Sequence, residues 1–202
     1  MVDFTIAINA GGKSTRMGTD KSFVVLGGKP LIQHVIERLS GLGARETFLI
    51  TNRPEAYAHL GLPMHADVLP EKGSLGGIYT ALHHSTSPYT LVIACDMPFV
   101  NPALLRYMIE RVDEPGGPYD VIVPRVDGYP EGLHAIYSQA CLTPIRTRLD
   151  ADRLKVIGFF PDVRVRYLDE AEYAPIDPDG VSFSNINTPD QLTEAQRRSL
   201  SS

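Results

Sequence analysis

Apolar and β-branched residues fall in short runs separated by segments of helical spacing. Residues 4–9 (FTIAIN) form such a run, ended by Ala10-Gly11-Gly12 as a buried strand would be. Pro30 opens a predicted helix in which Leu31, Val35 and Leu39 make one row and Ile32 and Ile36 another, with Gly41 or Gly43 as its stop. Residues 47–51 (TFLIT) predict a second strand and residues 65–69 a weaker one. Residues 70–77 are rich in turn formers, and helical spacing resumes at Ile78, Ala81 and Leu82 up to Ser87-Pro88. The clearest strand is 89–95 (YTLVIAC), which ends at Asp96.

Asn101-Pro102 predicts a capped helix start, with Leu105, Met108, Ile109 and Val112 facing inward. Strands follow at 120–123, 133–137 and 163–168. Ser138 is placed to cap a helix that runs to Leu149, with Pro144 inside it. Thr188-Pro189-Asp190-Gln191 combines a capping box with proline at the first helical position, and the last helix continues to about Arg198. This alternation predicts an α/β fold with a mostly parallel central sheet and right-handed crossovers, binding its ligand beyond the strands' carboxyl ends. With 202 residues, the expectation is one domain over 1–202.

Composition narrows the function. The chain has 19 Lys+Arg against 24 Asp+Glu, a net charge of −5, which argues against nucleic-acid or anionic-membrane binding. No apolar run is long enough to span a bilayer, because the longest uncharged stretch is interrupted by His83-His84-Ser85-Thr86-Ser87-Pro88. Cys95 and Cys141 form no CxxC pattern and read as free thiols, so the expected location is the cytoplasm. The charge is uneven. Residues 1–29 carry Lys13, Arg16, Lys21 and Lys29 against Asp3 and Asp20, so cations gather around the first loop.

That loop, AGGKSTRMGTDK from Ala10 to Lys21, places three glycines and three cations after the first strand. Glycines let backbone N–H groups approach phosphate, and Lys13, Arg16 and Lys21 can neutralise it. The loop matches neither the P-loop, which would need glycine at Ala7, nor the dinucleotide fingerprint. Asp96 stands where the 89–95 strand runs out, and a carboxylate there can hold Mg²⁺ against nucleotide phosphates. A lone Gly-Lys cluster reads more readily as a solvated turn, but the place of this loop after the first strand, at the edge where α/β sheets bind ligands, favours phosphate. Asp96 taken alone serves equally as a turn cap before Pro98.

Together with the strand-end string ACDMP and the C-terminal string FSNINTPDQL, the loop string resembles the molybdenum cofactor guanylyltransferase family, whose fold is a Rossmann-like three-layer nucleotidyltransferase fold. The resemblance covers nearly the whole chain. It implies transfer of GMP from GTP to the terminal phosphate of a molybdopterin-type acceptor, with Mg²⁺ as cofactor and pyrophosphate as product. It implies that Ala10, Gly11 and Gly12 line the nucleotide site, that Arg16 and Lys21 hold the triphosphate, and that Asn52 and Asp67 serve base and ribose. By the same resemblance Asp96 is the metal ligand, Asn185 and Asn187 lie near the acceptor phosphate, and His134 faces the acceptor. It also leaves room for transient contact with proteins that deliver or take up the cofactor.

Three positions depart from the family's usual pattern. Asn9 stands where an apolar residue is common, and Ser74 and Gly132 replace prolines in the strings Gly73-Ser74-Leu75 and Glu131-Gly132-Leu133. Two other functions stay open at this level. One is a sibling transferase using CTP or another phosphorylated acceptor, and the other is a non-catalytic nucleotide-binding module. Cys95, with no neighbouring base, reads as core packing rather than a nucleophile.

Overall fold

The computed structural model describes residues 2–10 and 21–200, so Gly11, Gly12, Lys13 and Arg16 lie outside the described residues. The chain opens with β1 (Phe4–Asn9), the short hairpin of β2 (Val25–Leu26) and β3 (Lys29–Pro30), α1 (Leu31–Leu39) and β4 (Glu46–Ile50). It continues through α2 (Pro54–Tyr57), β5 (Met64–His65), α3 (Gly73–His84), β6 (Tyr89–Ala94) and α4 (Pro102–Glu110). Next come β7 (Val121–Val126), β8 (Tyr129–Pro130), β9 (His134–Ser138) and α5 (Leu142–Asp150). The last elements are β10 (Val165–Leu168), α6 (Glu170–Tyr173) and α7 (Pro189–Leu200).

The main sheet has the order β10-β7-β9-β6-β1-β4-β5, with β8 paired to β7. β1 pairs in parallel with both β4 and β6, as β4 does with β5 and β7 with β10. β9 is antiparallel to both of its neighbours. Side chains alternate between two cores, as the period of a strand requires. Phe4, Ile6 and Ile8 pack with Ile32 and Val35 of α1 and Leu105 and Met108 of α4. Ala7 and Val92 pack on the other face with Leu75 and Ile78 of α3 and Ile145 and Leu149 of α5. A smaller core joins Leu26, Leu31, Ile186 and Ala195, seating α7 against the hairpin. This is the expected α/β/α architecture with a mostly parallel sheet.

Several local expectations hold. Asn101 Oδ1 accepts from Ala103 N at 2.9 Å to cap α4. At α7, Thr188 Oγ1 accepts from Gln191 N at 3.3 Å while Gln191 Oε1 accepts from Thr188 N at 3.1 Å, the reciprocal bonds of a capping box.

Other boundaries moved for physical reasons. The strand expected at 65–69 stops at His65, because Asp67 N is bonded to Asn52 Oδ1 at 2.9 Å and Val68 N to Thr80 Oγ1 at 3.1 Å instead of to a neighbouring strand. Residues 73–77 are the first turns of α3 rather than a loop. Their glycines permit close packing: a Cβ on Gly76 would lie 3.3 Å from the Leu69 carbonyl oxygen, and one on Gly77 would overlap the Asn9 amide nitrogen. Ser138 does not cap a helix, since its hydroxyl donates to Asp120 Oδ1 at 2.9 Å and a 3₁₀ turn at Gln139–Cys141 precedes α5. Pro144 falls in the first turn of α5, where its missing N–H costs nothing. Among the described residues, no helix is long and apolar enough to cross a membrane.

The Asn9–Gly77 contact predicts a stability effect whose sign depends on background. Gly77→Ala is expected to destabilise the chain, because the added methyl strikes a buried amide. In an Asn9→Ala background the same substitution is expected to stabilise by up to about 1 kcal/mol, the helix propensity difference between alanine and glycine. Urea unfolding of the two singles and the double decides it, and the same sign in both backgrounds would rule out this contact as the cause.

Candidate active site

The parallel register brings the ends of β1 and β6 level, with Asn9 opposite Ala94. Beyond that point Cys95 N donates to Asn9 O at 3.1 Å, and Ala10 N to Ile50 O at 3.0 Å. The segments leaving β1, β4 and β6 therefore start from one edge, where α/β sheets bind ligands. Because β9 runs the opposite way, its entry segment Glu131–Leu133 reaches the same edge, and Ala94 N donates to Leu133 O at 3.0 Å. From the C-terminal part, Ile186 N donates to Asp96 O at 3.0 Å, which lays Asn185 and Asn187 beside the β6 end.

Two adjoining cavities open there. One, of about 570 Å³, is lined by Asn9, Ala10, Thr51, Asn52, Arg53, Asp67, Pro70, Glu71, Gly73 and Ser74. Within it Asn52 and Asp67 are locked together: Asn52 Nδ2 donates to Asp67 Oδ2 at 2.7 Å, and Asn52 Oδ1 accepts from Asp67 N. Asn52 thus spends its amide on holding Asp67, whose other carboxylate oxygen remains an acceptor for a sugar hydroxyl.

The second cavity, about 350 Å³, is lined by Asp96, Met97, Asn185 and Asn187 on one side and Pro130–Leu133 and Val156 on another, with Ser74 shared between the two. Lys21 Nζ donates to Asn187 Oδ1 across 166 positions of sequence. Burial pushes the Asp96 carboxyl above the usual carboxylate range, and the Lys21 charge opposes that shift only in part. Lys21, Asp96 and Asn187 are therefore one electrostatic unit.

The residues adjacent to this unit hold it from behind. Ser22 is buried, donates to Cys95 Sγ at 3.1 Å and accepts from Tyr57 Oη at 2.9 Å. Phe23 packs on the Tyr57 ring with centroids 4.8 Å apart. Since Ser22 follows Lys21 and Cys95 precedes Asp96, this hydroxyl chain couples the backbones that carry the cation and the carboxylate. Cys95 takes part in packing as expected, and also as a hydrogen-bond acceptor. No feature of the sequence pointed to Ser22 or Tyr57, which meet only in the fold.

The structure thus gathers Ala10, Asn52 and Asp67 in one cavity, and Asp96, Asn185 and Asn187, with Lys21 beside them, in the other. His134 is the exception, since it is fully buried under the sheet edge and does not line the second cavity. Its ring packs edge-on against Phe183 at 4.9 Å, neither ring nitrogen has a hydrogen-bond partner among the described residues, and burial holds its pKa down to about 3. The physical reason is strand alternation. His134 pairs with Ile93 and shares the face of Ile93 and Ile136.

The donor set near Asp96 suits a hard cation. Beside the β6 end it offers the desolvated Asp96 carboxylate and two amide side chains, with the Glu131 carboxyl on the other side of the same cavity. Among the described residues no group of three or more His, Cys, Asp or Glu is placed to hold a metal unaided. A cation that keeps waters and shares its ligands with substrate phosphates matches this economy.

The family model for the MobA-like NTP transferase domain matches residues 6–159. A Pelotomaculum thermopropionicum protein named probable molybdenum cofactor guanylyltransferase is 38% identical over 196 residues, covering 97% of this chain and 93% of its own. A Desulfosudis oleivorans molybdenum cofactor guanylyltransferase is 32% identical over 190 residues, with 94% and 92% covered. Among solved structures, molybdopterin-guanine dinucleotide biosynthesis protein A from Archaeoglobus fulgidus superposes with a TM-score of 0.84 at 29% identity, over 98% of this chain and 100% of that one.

The raised Asp96 pKa has a consequence for stability. The folded chain binds this proton at higher pH than the unfolded chain, whose aspartates titrate near pH 4. The charged carboxylate therefore opposes folding above its raised pKa, and the opposition fades as pH falls toward the unfolded value. Without added metal, Asp96→Asn is expected to melt above the unsubstituted chain at pH 8, by a margin that shrinks at pH 4.5. A margin unchanged with pH would mean that the carboxylate is not desolvated.

Proposed function

The chain belongs to the MobA-like NTP transferase family, and we propose that it transfers GMP from GTP to the terminal phosphate of molybdopterin, giving the guanine dinucleotide form of the molybdenum cofactor. It is a nucleotidyltransferase of molybdenum cofactor biosynthesis. An oxygen of the acceptor phosphate attacks the α-phosphorus of GTP as the bond from that phosphorus to the β-phosphate oxygen breaks, and pyrophosphate leaves. No side-chain nucleophile is required, because a phosphate monoester is already largely ionised near pH 7. The obstacle is the meeting of two anions, which positioned cations lower by shielding charge and holding the groups in line.

The observation that carries this reading is the union of Lys21, Asp96 and Asn187 at the second cavity, suited to an acceptor, which meets the first, suited to a nucleoside, at Ser74. Lys21, held by Asn187, donates to the α-phosphate as its charge grows. Asp67, braced by Asn52, accepts from the ribose, and the Ala10 backbone lines the nucleotide cavity. Asp96 would hold Mg²⁺, with Asn185 and Asn187 on its acceptor side. When bound, the metal neutralises phosphate charge and orients the triphosphate. Gly11, Gly12 and Arg16, outside the described residues, are assigned to the triphosphate and the leaving pyrophosphate by family resemblance. We also assign the reaction to the cytoplasm, where the two free thiols stay reduced.

Pyrophosphate release and dinucleotide product, measured with molybdopterin, Mg²⁺ and each nucleoside triphosphate in turn, test the reaction. GTP is expected to be the productive donor, EDTA to stop turnover and Mg²⁺ to restore it. Preference for CTP would reassign the donor, and tight binding without product would leave only a binding module. Lys21→Ala and Asp96→Ala are each expected to lower kcat by about a hundredfold or more. A loss within about threefold, under 1 kcal/mol of barrier, would remove that residue from the mechanism.

A further inference from the structure

The acceptor-side cleft contains a second carboxylate that phosphate chemistry does not explain. Glu131 lines it together with Asp96, Asn185 and Asn187. Its carboxylate makes no hydrogen bond or ion pair with any described residue, and burial raises its pKa with no partner opposing the shift. A half-buried carboxylate without a partner is costly, and in a cleft that receives an anionic phosphate it is repulsive as well. Lysine or a neutral residue would suit a phosphate better.

The turn that bears Glu131 is held in place. Glu131 N donates to Pro124 O and His134 N to Glu131 O, both at 2.9 Å. Tyr137 Oη donates to the Gly132 carbonyl at 2.7 Å, and a Cβ on Gly132 would lie 2.6 Å from Val156 Cγ1. The turn packs so closely on Val156 and Tyr137 that a side chain at position 132 would force the Val156 methyl to move. Glu131 is therefore presented from a fixed base.

Such a carboxylate is satisfied by a ligand that brings paired N–H donors. On the reading that the acceptor is molybdopterin, one part of that molecule supplies them: the pterin's ring N3–H and 2-amino group lie side by side and match the two oxygens of a carboxylate. We propose that Glu131 accepts hydrogen bonds from this aminopyrimidinone edge and so is a specificity-determining residue for the acceptor. The phosphate end of the acceptor is then met by Asn185, Asn187 and the metal, and the flat ring end by Glu131. Recognition at two ends explains how one cleft holds both a carboxylate and an anion.

The test separates acceptor from nucleotide. In Glu131→Gln and Glu131→Ala the KM for molybdopterin is expected to rise about 10- to 100-fold, as for loss of hydrogen bonds to a charged group. The kcat and the KM for GTP should stay within about threefold. A second measurement needs no variant: 6-hydroxymethylpterin, which lacks the phosphate, should inhibit competitively with the acceptor, and its lumazine analogue, with oxygen in place of the 2-amino group, should inhibit about tenfold less well. An unchanged acceptor KM, a rise in the KM for GTP instead, or equal inhibition by the two probes would overturn the proposal. Lys21→Ala serves as the control. If it also leaves turnover intact, the transferase reading itself fails, whereas its inactivity alongside an unaffected Glu131→Gln sinks only the role of Glu131.

Discussion

The structure of the site depends on the parallel register of β1 and β6. Six consecutive pairs, from Phe4 opposite Tyr89 to Asn9 opposite Ala94, end the two strands at the same height. One residue of slip would turn Ile6 and Ile8 out of their core and carry Asp96 away from the loop after β1. Burial on both faces fixes that register, since Ala7 and Val92 are as deeply buried on one side as Ile8 and Leu91 are on the other. With the strand ends level, single hydrogen bonds suffice to bring in distant segments. Ser22 reaches Cys95, and Ile186 reaches the Asp96 carbonyl. A packed core thus determines where a lysine from near residue 20 and an asparagine from near residue 190 meet.

That meeting resolves the tension between an acidic chain and an anionic substrate. The net charge of −5 is spread over the molecule, while the transfer site concentrates a few groups whose charges are poorly screened. Asp96 and Glu131 are both desolvated, and both hold their protons more tightly than free carboxylates. They differ in company. Asp96 has the Lys21 charge nearby and amide neighbours that suit a metal, so its cost is met by cations. Glu131 has no hydrogen-bond or charged partner among the described residues, so its cost falls to a ligand. Two carboxylates lining one cleft are thereby given different chemistry by their surroundings rather than by residue type.

Much of this was legible in the sequence where the physics is local. The buried runs FTIAIN and YTLVIAC, the Asn101 cap and the Thr188–Gln191 box depend on near neighbours, and all four stand, the second strand ending one residue early at Ala94. What failed depended on contacts far apart in sequence. The Gly73–Gly77 segment carries a loop's composition, yet it is helix because Leu75 is buried and the glycines meet Leu69 and Asn9. The antiparallel sense of β9 leaves no mark in a single strand's pattern. His134 followed a motif into the acceptor site by resemblance, whereas alternation along β9 turned it inward, a consequence that needed the register with β6. The Asn52–Asp67 pair and the Ser22–Cys95 contact are between residues that no periodicity links.

The departures at Asn9 and Gly132 show how a substitution in a motif is absorbed by the fold. Asn9 follows the alternation of β1 onto the α3 face, where a hydrocarbon would have been easy to bury. Its amide needs room, and α3 provides it: Gly77 leaves the space, and the start of the helix brings Ser74 to line the same cavity. Gly132 is accommodated in the opposite way, by neighbours that close in until Val156 fills the place of a side chain. In one case a larger polar group is matched by a missing Cβ across the interface, and in the other a missing ring is matched by tighter packing. Both keep the cavity walls close-packed, because at the density of a protein interior a gap and an overlap are each destabilising. The motif's altered letters therefore change what the walls present to a ligand while the walls themselves stay in place.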